Sequence, residues 1–338
     1  MNSTLPIHLP RHAEAAQAAH APRHSAGATG QIGHGSAHAK AILFGEHAVV
    51  YGAPAITIPV FELEATARVD ACESGVRIES ELFSGEVLAA PAQLAPIVAA
   101  IRASLAHVGD ADAHVRVQIL SAIPHSRGLG SSAAVAAAVA RGVADWAGTS
   151  IDTAELYDIV QQAERIAHGN PSGLDARAVT SDGTFRFDLG VVTPLSIGAP
   201  LSFVLADTGI AGSTAEAVGG VRARRAEQPE RIDALIARLV EIAEESVVHL
   251  AAADKHALGA SIHEAHQLLD QIGVSSPELN ALVSAAEAAG ALGAKLTGGG
   301  LGGCILALAH SEEHAEQLAT ALRAAGALRT WTATVPAT

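Results

Sequence analysis

Apolar positions in this chain change period along its length, and the changes mark out its elements. VRVQIL (115–120) alternates apolar and polar residues with the two-residue period of a half-buried strand. VRIESE (76–81), AILFGEHAVV (41–50) and ITIPVFELEATARVD (56–70) read as further strands, the last two meeting at the turn Tyr51-Gly52-Ala53-Pro54. Helical spacing predicts helices near 92–107, 131–146 and 153–168. The third opens on Asp152-x-x-Glu155, a capping-box pattern, and stops at Gly169-Asn170-Pro171. Its apolar positions Leu156, Ile159, Val160, Ala163 and Ile166 form one stripe, which leaves Glu164 off the middle of the buried face.

From about residue 206 the pattern turns helix-rich, with helices expected near 213–226, 229–253, 255–271 and 276–289. AKLTGGGLGGCILALA (294–309) reads as strand, glycine turn, strand. HAEQLATALRAAG then gives a helix and RTWTATVP a last strand. Short strands capable of antiparallel pairing, alternating with helices, predict an α+β layered fold in two parts, 37–205 and 206–338. Residues 1–36 differ from both. They are rich in Ala, His, Pro and Gly, lack a sustained apolar period, and read as a disordered extension. The six histidines up to His38 are read as spaced polar residues, with weak metal binding as the alternative.

Composition narrows the function classes. A chain of 338 residues with 49% hydrophobic content can bury one or two real cores. Its net charge of -14 argues against nucleic acid or an anionic membrane as the main partner. No uninterrupted apolar stretch is long enough to span a bilayer, and the opening segment lacks the apolar core of a secretory signal, so the expectation is cytoplasmic. Two cysteines, Cys72 and Cys304, imply no disulfide framework. Lysine is scarce, with only Lys40, Lys255 and Lys295 against many arginines.

The richest chemistry lies in IPHSRGLGSSAAVAAAVARG (123–142), a glycine-serine turn running into an alanine-rich helix. A helix start presents unpaired N–H groups and the positive end of the macrodipole, so it attracts anions. Glycines let the backbone close around phosphate oxygens, and Ser132, with Ser131 behind it, can reach a phosphate-bound metal. The plain alternative is that either serine caps the helix. GxxxxGK[ST] is absent, so this is no Walker A loop. Gly128-x-Gly130-x-x-Ala133 also satisfies a dinucleotide fingerprint, with Asp145 downstream, but the intervening Pro124 loop fits that fold poorly.

Three other segments accompany this one: KAILFGEHAVVYG (40–52), HGNPSGLD (168–175) and KLTGGGLGGC (295–304). Their order around PHSRGLGSSAA resembles the GHMP kinases, over nearly everything after residue 37. FGEHAVVYG with HGNPSGLD is most similar to the mevalonate kinase branch. The resemblance implies a two-domain fold, an N-terminal domain like ribosomal protein S5 domain 2 and a ferredoxin-like C-terminal domain, with the active site in the cleft between them. It implies ATP and Mg2+ as cofactors and mevalonate as substrate, with a homodimer left open. The nucleotide would lie along Pro124, Gly128, Leu129, Gly130, Ser131, Ser132 and Ala133. Ser132 and Glu164 would hold the metal. Asp175 would accept the hydroxyl proton, with Lys40 beside it. Glu46, His47, Thr214, Gly299 and Gly300 would belong to the substrate pocket, and Lys295 and Thr297 would flank the third glycine loop. For each charged residue the plain alternative is a structural or solvated role.

The chain departs from the family in two places. Leu301 stands where the family often has glycine. Gly212 stands where animal members carry an arginine implicated in substrate contact, so another arginine or backbone N–H groups must serve the substrate carboxylate. Another small-molecule kinase of the family, such as phosphomevalonate kinase, a non-catalytic ligand sensor, and a dinucleotide oxidoreductase are the alternatives.

Overall fold

A computed structural model describes residues 30–169 and 171–338. The first sheet contains β1 (Ile32–Phe44), β2 (Ala55–Ala71), β3 (Val76–Glu79), β4 (Ser84–Glu86), β5 (Val115–Ser121), β6 (Phe185–Asp188) and β7 (Val191–Pro194). Its order is β4-β3-β5-β2-β6-β7, with β1 along the free edge of β2. The seventeen-residue β2 is the organiser: β1 pairs with nearly its whole length, while β5 and β6 share the opposite edge. Only β3 and β5 pair in parallel among the described strands.

One face of this sheet is covered by α1 (Ala95–His107), α2 (Ser131–Trp146), α3 (Thr153–His168) and the short α4 (Leu174–Thr180). The central α2 is buried on nearly all sides, from Ala133 through Ala140, because alanine lets a helix approach strands and helices alike. The capping box at α3 forms as the pattern predicts: Asp152 Oδ1 accepts from Ala154 and Glu155 N–H, both at 2.8 Å, and Glu155 returns the bond to Asp152 N–H.

The second sheet, order β11-β8-β10-β9, is wholly antiparallel. It comprises β8 (Leu201–Asp207), β9 (Gly293–Thr297), β10 (Cys304–Ala309) and β11 (Arg329–Val335). Around it lie α5 (Thr214–Glu227), α6 (Pro229–Ala251), α7 (Lys255–Ile272), α8 (Pro277–Ala288) and α9 (Glu312–Ala324). Every residue of β8, β9 and β10 is buried. No helix among the described residues is long and apolar enough to cross a membrane.

Several sequence expectations shift. The disorder expected of residues 1–36 lies outside the described residues up to 29, but Ile32 already opens β1. The strand was hidden because Gly33 and Gly35 carry no apolar side chain. A Cβ on Gly35 would come within 2.1 Å of the Ala138 carbonyl oxygen, so the strand backbone lies directly on α2. The second part begins with β8 at Leu201 rather than at 206. His47–Val50 is not strand: β1 ends at Phe44, and Ala48–Tyr51 forms a turn of 3-10 helix. Ile166 leaves the buried stripe of α3 and is 53% exposed.

Candidate active site at the seam between the two sheets

The loop from β5 to α2 ends on Gly130, in the left-handed region at φ 74°, with no side chain capping the helix. Capping is therefore not the role of either serine. Ser131 is buried and its Oγ donates to the Ile123 carbonyl at 3.3 Å. Ser132 is exposed, and its Oγ donates to Glu164 Oε1 at 2.6 Å. The first-turn N–H groups of α2 have no intrahelical partner, which makes this end a seat for anions. Pro124 is half-buried at the loop's start, and Leu129 and Ala133 are buried beneath it.

Lys40 rises from β1 into the back of this loop. Its backbone N–H donates to the Leu129 carbonyl at 3.1 Å and its Nζ to the Gly128 carbonyl at 3.0 Å. Nζ also lies 2.9 Å from Asp175 Oδ1, the lysine side chain 2% exposed and the aspartate 37%. Asp175 sits in the first turn of α4, two residues after Gly173. Helix position fixes a side chain more firmly than a loop does, and a carboxylate there also meets the positive helix end.

Glu164 is buried rather than solvated, with its side chain 3% exposed. Its pKa is raised, first by burial and then by the negative charge of Asp175. A buried carboxylate with a raised pKa is a group waiting for a cation. With the Ser132 hydroxyl it gives the hard oxygen donors that magnesium takes, and magnesium needs few of them because phosphate oxygens and water complete its shell. The residues present therefore fit the metal. Among the described residues no group of three or more His, Cys, Asp or Glu is gathered into a site of another kind.

The loop after β9 closes the other side. A Cβ on Gly298 would stand 2.6 Å from Gly128 Cα, so the two glycine loops touch backbone to backbone. Thr297 Oγ1 accepts from Ile42 N–H at 2.9 Å and donates to Ile42 O at 3.1 Å, stitching β9 to β1. Lys295 Nζ pairs with Glu46 Oε1 and donates to the Leu296 carbonyl at 2.7 Å. Burial pushes the Glu46 carboxyl above its ordinary value and the Lys295 ammonium below its own. Glu46 thus lies in a sealed ion pair between the two sheets, not on the open wall of a pocket, although Oε2 has no partner among the described residues.

His47 is held at φ 61° and ψ -42°, with Glu46 O accepting from Ala48 N–H at 2.7 Å across it. This is a γ-turn with positive φ, a rare and strained geometry that persists only where its surroundings enforce it. The ring Nε2 lies 2.9 Å from the Gly299 carbonyl. Burial lowers the His47 pKa to about 4, so the ring is neutral at pH 7 and the bond assigns the proton to Nε2. Its Nδ1 is buried and without a partner among the described residues. Thr214 opens α5 against the same glycine: a Cβ on Gly299 would come within 2.5 Å of Thr214 Oγ1. Gly300 packs on the Val274 carbonyl, and Leu301 next to it takes φ 56°, the strained choice for leucine where glycine would be free.

Two features were missed in the sequence. Arg127 Nε lies 2.6 Å from Asp207 Oδ1, an ion pair that ties the glycine-serine loop to the end of β8 across eighty positions of sequence. A cavity of about 580 Å3 opens beside α1 and α3, with Val87, Pro91, Val98, Arg102, Gln162 and Ile166 in its walls. Its one trace in the sequence was Ile166, an apolar residue that completes the stripe by spacing yet faces this cavity.

Residues 95–183 match the profile of the GHMP kinases N terminal domain, and residues 246–328 that of the GHMP kinases C terminal domain. The chain belongs to the GHMP kinase family. Among curated GHMP kinases it is similar to the mevalonate kinase of Thermococcus sibiricus, 37% identical over 87% of this chain and 93% of that one. The mevalonate kinase of Pyrococcus horikoshii is 36% identical over 87% and 92%. Among solved structures, that of L. major mevalonate kinase in complex with R-mevalonate superposes with a TM-score of 0.79 at 29% identity, covering 90% of this chain and 96% of that chain. The Methanococcus jannaschii mevalonate kinase gives the same TM-score of 0.79 at 22% identity, over 91% and 99%, and speaks to the fold. The two-sheet architecture is thus the two-domain GHMP kinase fold.

Proposed function

We propose that this chain is an ATP-dependent mevalonate kinase, which phosphorylates the 5-hydroxyl of mevalonate to give 5-phosphomevalonate, an isoprenoid precursor. The observation that carries the reading is the Lys40–Asp175 pair at 2.9 Å behind an uncapped, glycine-lined helix start. The curated relatives at 37% and 36% identity bear the same name.

Bound ATP with Mg2+ would supply the phosphoryl group and neutralise its charge. Ser132 and Glu164 would hold the metal, and Gly128–Ala133 would give backbone donors to the phosphates. The cavity walled by Val87, Val98, Arg102 and Ile166 suits the nucleobase, being apolar with two polar groups. Asp175 would receive the proton of the substrate hydroxyl as its oxygen bonds to the γ-phosphorus and the bond to the ADP oxygen breaks. With a loose transition state the proton need not leave early, so proton removal ahead of phosphoryl transfer is not required. Lys40 would stabilise the charge developing on that oxygen and keep Asp175 oriented. His47 and Thr214, meeting at Gly299, would wall the substrate side.

The test is ADP release by the purified protein with mevalonate, phosphomevalonate, homoserine and galactose in turn. Turnover on mevalonate far above the others is expected. Preference for any other of the four would overturn the assignment.

A further inference from the structure

The substrate proposed above is a carboxylate, and an arginine or backbone N–H groups must meet it where that end rests. Gly212 cannot supply one, and its surroundings leave little room for a longer residue. Its N–H donates to the Ser126 carbonyl at 2.9 Å, and a Cβ there would come within 2.9 Å of the Gly300 carbonyl oxygen.

Most cations on the elements bordering the cleft are already committed. Lys40 has Asp175, Lys295 has Glu46 and Arg127 has Asp207. Arg225 has Asp233, and Arg186 has Glu244. Arg177 lies over the Tyr157 ring, 3.6 Å from its centre.

Arg224 on α5 is different. No carboxylate among the described residues lies within ion-pair distance of it, yet it is half-buried and firmly held. Its Nε donates to the Ile272 carbonyl at 2.6 Å and its Nη2 to the Gly273 carbonyl at 2.9 Å, at the C-terminal end of α7. The guanidinium lies between two glycines that make its seat. A Cβ on Gly273 would come within 2.9 Å of its Cζ, and one on Gly220 within 3.1 Å of Nη2. The segment it grips leads straight to the site, since Leu301 N–H donates to the Val274 carbonyl at 2.8 Å. The guanidinium is also near enough to His47 for its charge to help depress that ring's pKa.

Capping α7 uses one edge of the guanidinium, the Nε–Nη2 edge. The end edge, Nη1 with the other Nη2 hydrogen, is a second fork of the shape that takes a carboxylate in two parallel bonds. We infer that Arg224, pre-set by the Gly220–Gly273 seat and the end of α7, is the residue that binds the carboxylate of the substrate. The inference rests on the mevalonate kinase reading. Neutral His47 on the same wall would then face the middle of the substrate, with its Nδ1 lone pair free to accept a hydroxyl.

The experiment compares wild type, Arg224→Gln and Arg224→Lys on two substrates: mevalonate, and the neutral triol in which the carboxylate is reduced to an alcohol. KM and kcat are measured for each substrate, together with KM for ATP and the melting temperature. Arg224→Gln should raise KM for mevalonate at least about tenfold, the effect of losing one charge-assisted pair. It should leave KM for ATP and both constants for the triol nearly unchanged. Arg224→Lys, which keeps the charge but not the fork, should fall between, and it decides the matter if the glutamine variant does not fold. Equal losses on mevalonate and the triol would overturn the inference and leave Arg224 as a cap for α7. A wild type that fails to turn over mevalonate would overturn the activity reading, and this inference with it.

Discussion

Lys40 and Lys295 both rise from strands into the interior, and both meet a carboxylate there. They differ on the far side of the partner. Asp175 is 37% exposed beside the glycine-serine loop, whereas Glu46 and Lys295 are sealed at 1% and 0%. An open pair can exchange a proton with a bound molecule. A sealed pair can only hold two surfaces together, and it does so at the cost of taking both charges out of water. The family resemblance sets Lys40 and Glu46 in one functional motif, six residues apart. Their surroundings set them apart, one in an open pair and the other in a sealed one.

Breaking the sealed pair should give the largest effect. Lys295→Met leaves Glu46 buried without a counter-charge and should cost about 3–5 kcal/mol of stability, read by denaturant unfolding. Adding Glu46→Leu should recover part of that loss, because the stranded carboxyl is gone. If Lys295→Met melts like wild type, the pair is no scaffold and the comparison collapses.

Glu164→Gln sharpens the open side. It should raise the magnesium concentration needed for half-maximal turnover while leaving mevalonate affinity within about threefold, roughly 0.7 kcal/mol. Because burial and Asp175 disfavour the ionised carboxyl, the variant without ligands should melt no lower than wild type. Collapse of mevalonate affinity with an unchanged magnesium requirement would make Glu164 a substrate residue instead.

His47 gives an effect confined to acid. Its pKa is about 4 in the fold against an ordinary 6.5. The unfolded chain therefore binds the extra proton first as pH falls below 6.5, and the stability from the neutral ring drains away towards pH 4. Over that window wild type should lose up to about 3 kcal/mol more than His47→Gln, whose amide can still donate to Gly299. Parallel stability–pH curves for the two proteins would show that His47 is not held neutral by burial.

The sequence was most readable where one short-range rule decides the outcome. The capping box at Asp152 and Glu155, the stripe Leu156, Ile159, Val160 and Ala163, and the strand-turn-strand around Gly298–Gly303 needed only local pattern. Reading failed where a distant partner decides. Gly33 and Gly35 look like linker until α2 lies against them. Ile166 keeps helical period but lines a cavity. Arg127 and Asp207, and Arg224 with the end of α7, are pairings across sequence that no periodicity encodes. The motif residues around Lys40, Glu164 and Asp175 were legible as a group, but which pair stays open to the cleft was not.

In the proposed reaction Asp175 is the group that takes the proton. Asp175→Asn keeps the shape of the side chain and removes its basicity. Single-turnover phosphoryl transfer should be measured beside direct binding of ATP and mevalonate in one preparation. Transfer slower by at least about a hundredfold is expected, the low end for general-base assistance, with both affinities within about tenfold. A near-normal single-turnover rate would contradict the account: the proton would go elsewhere, or its removal would not contribute to the barrier.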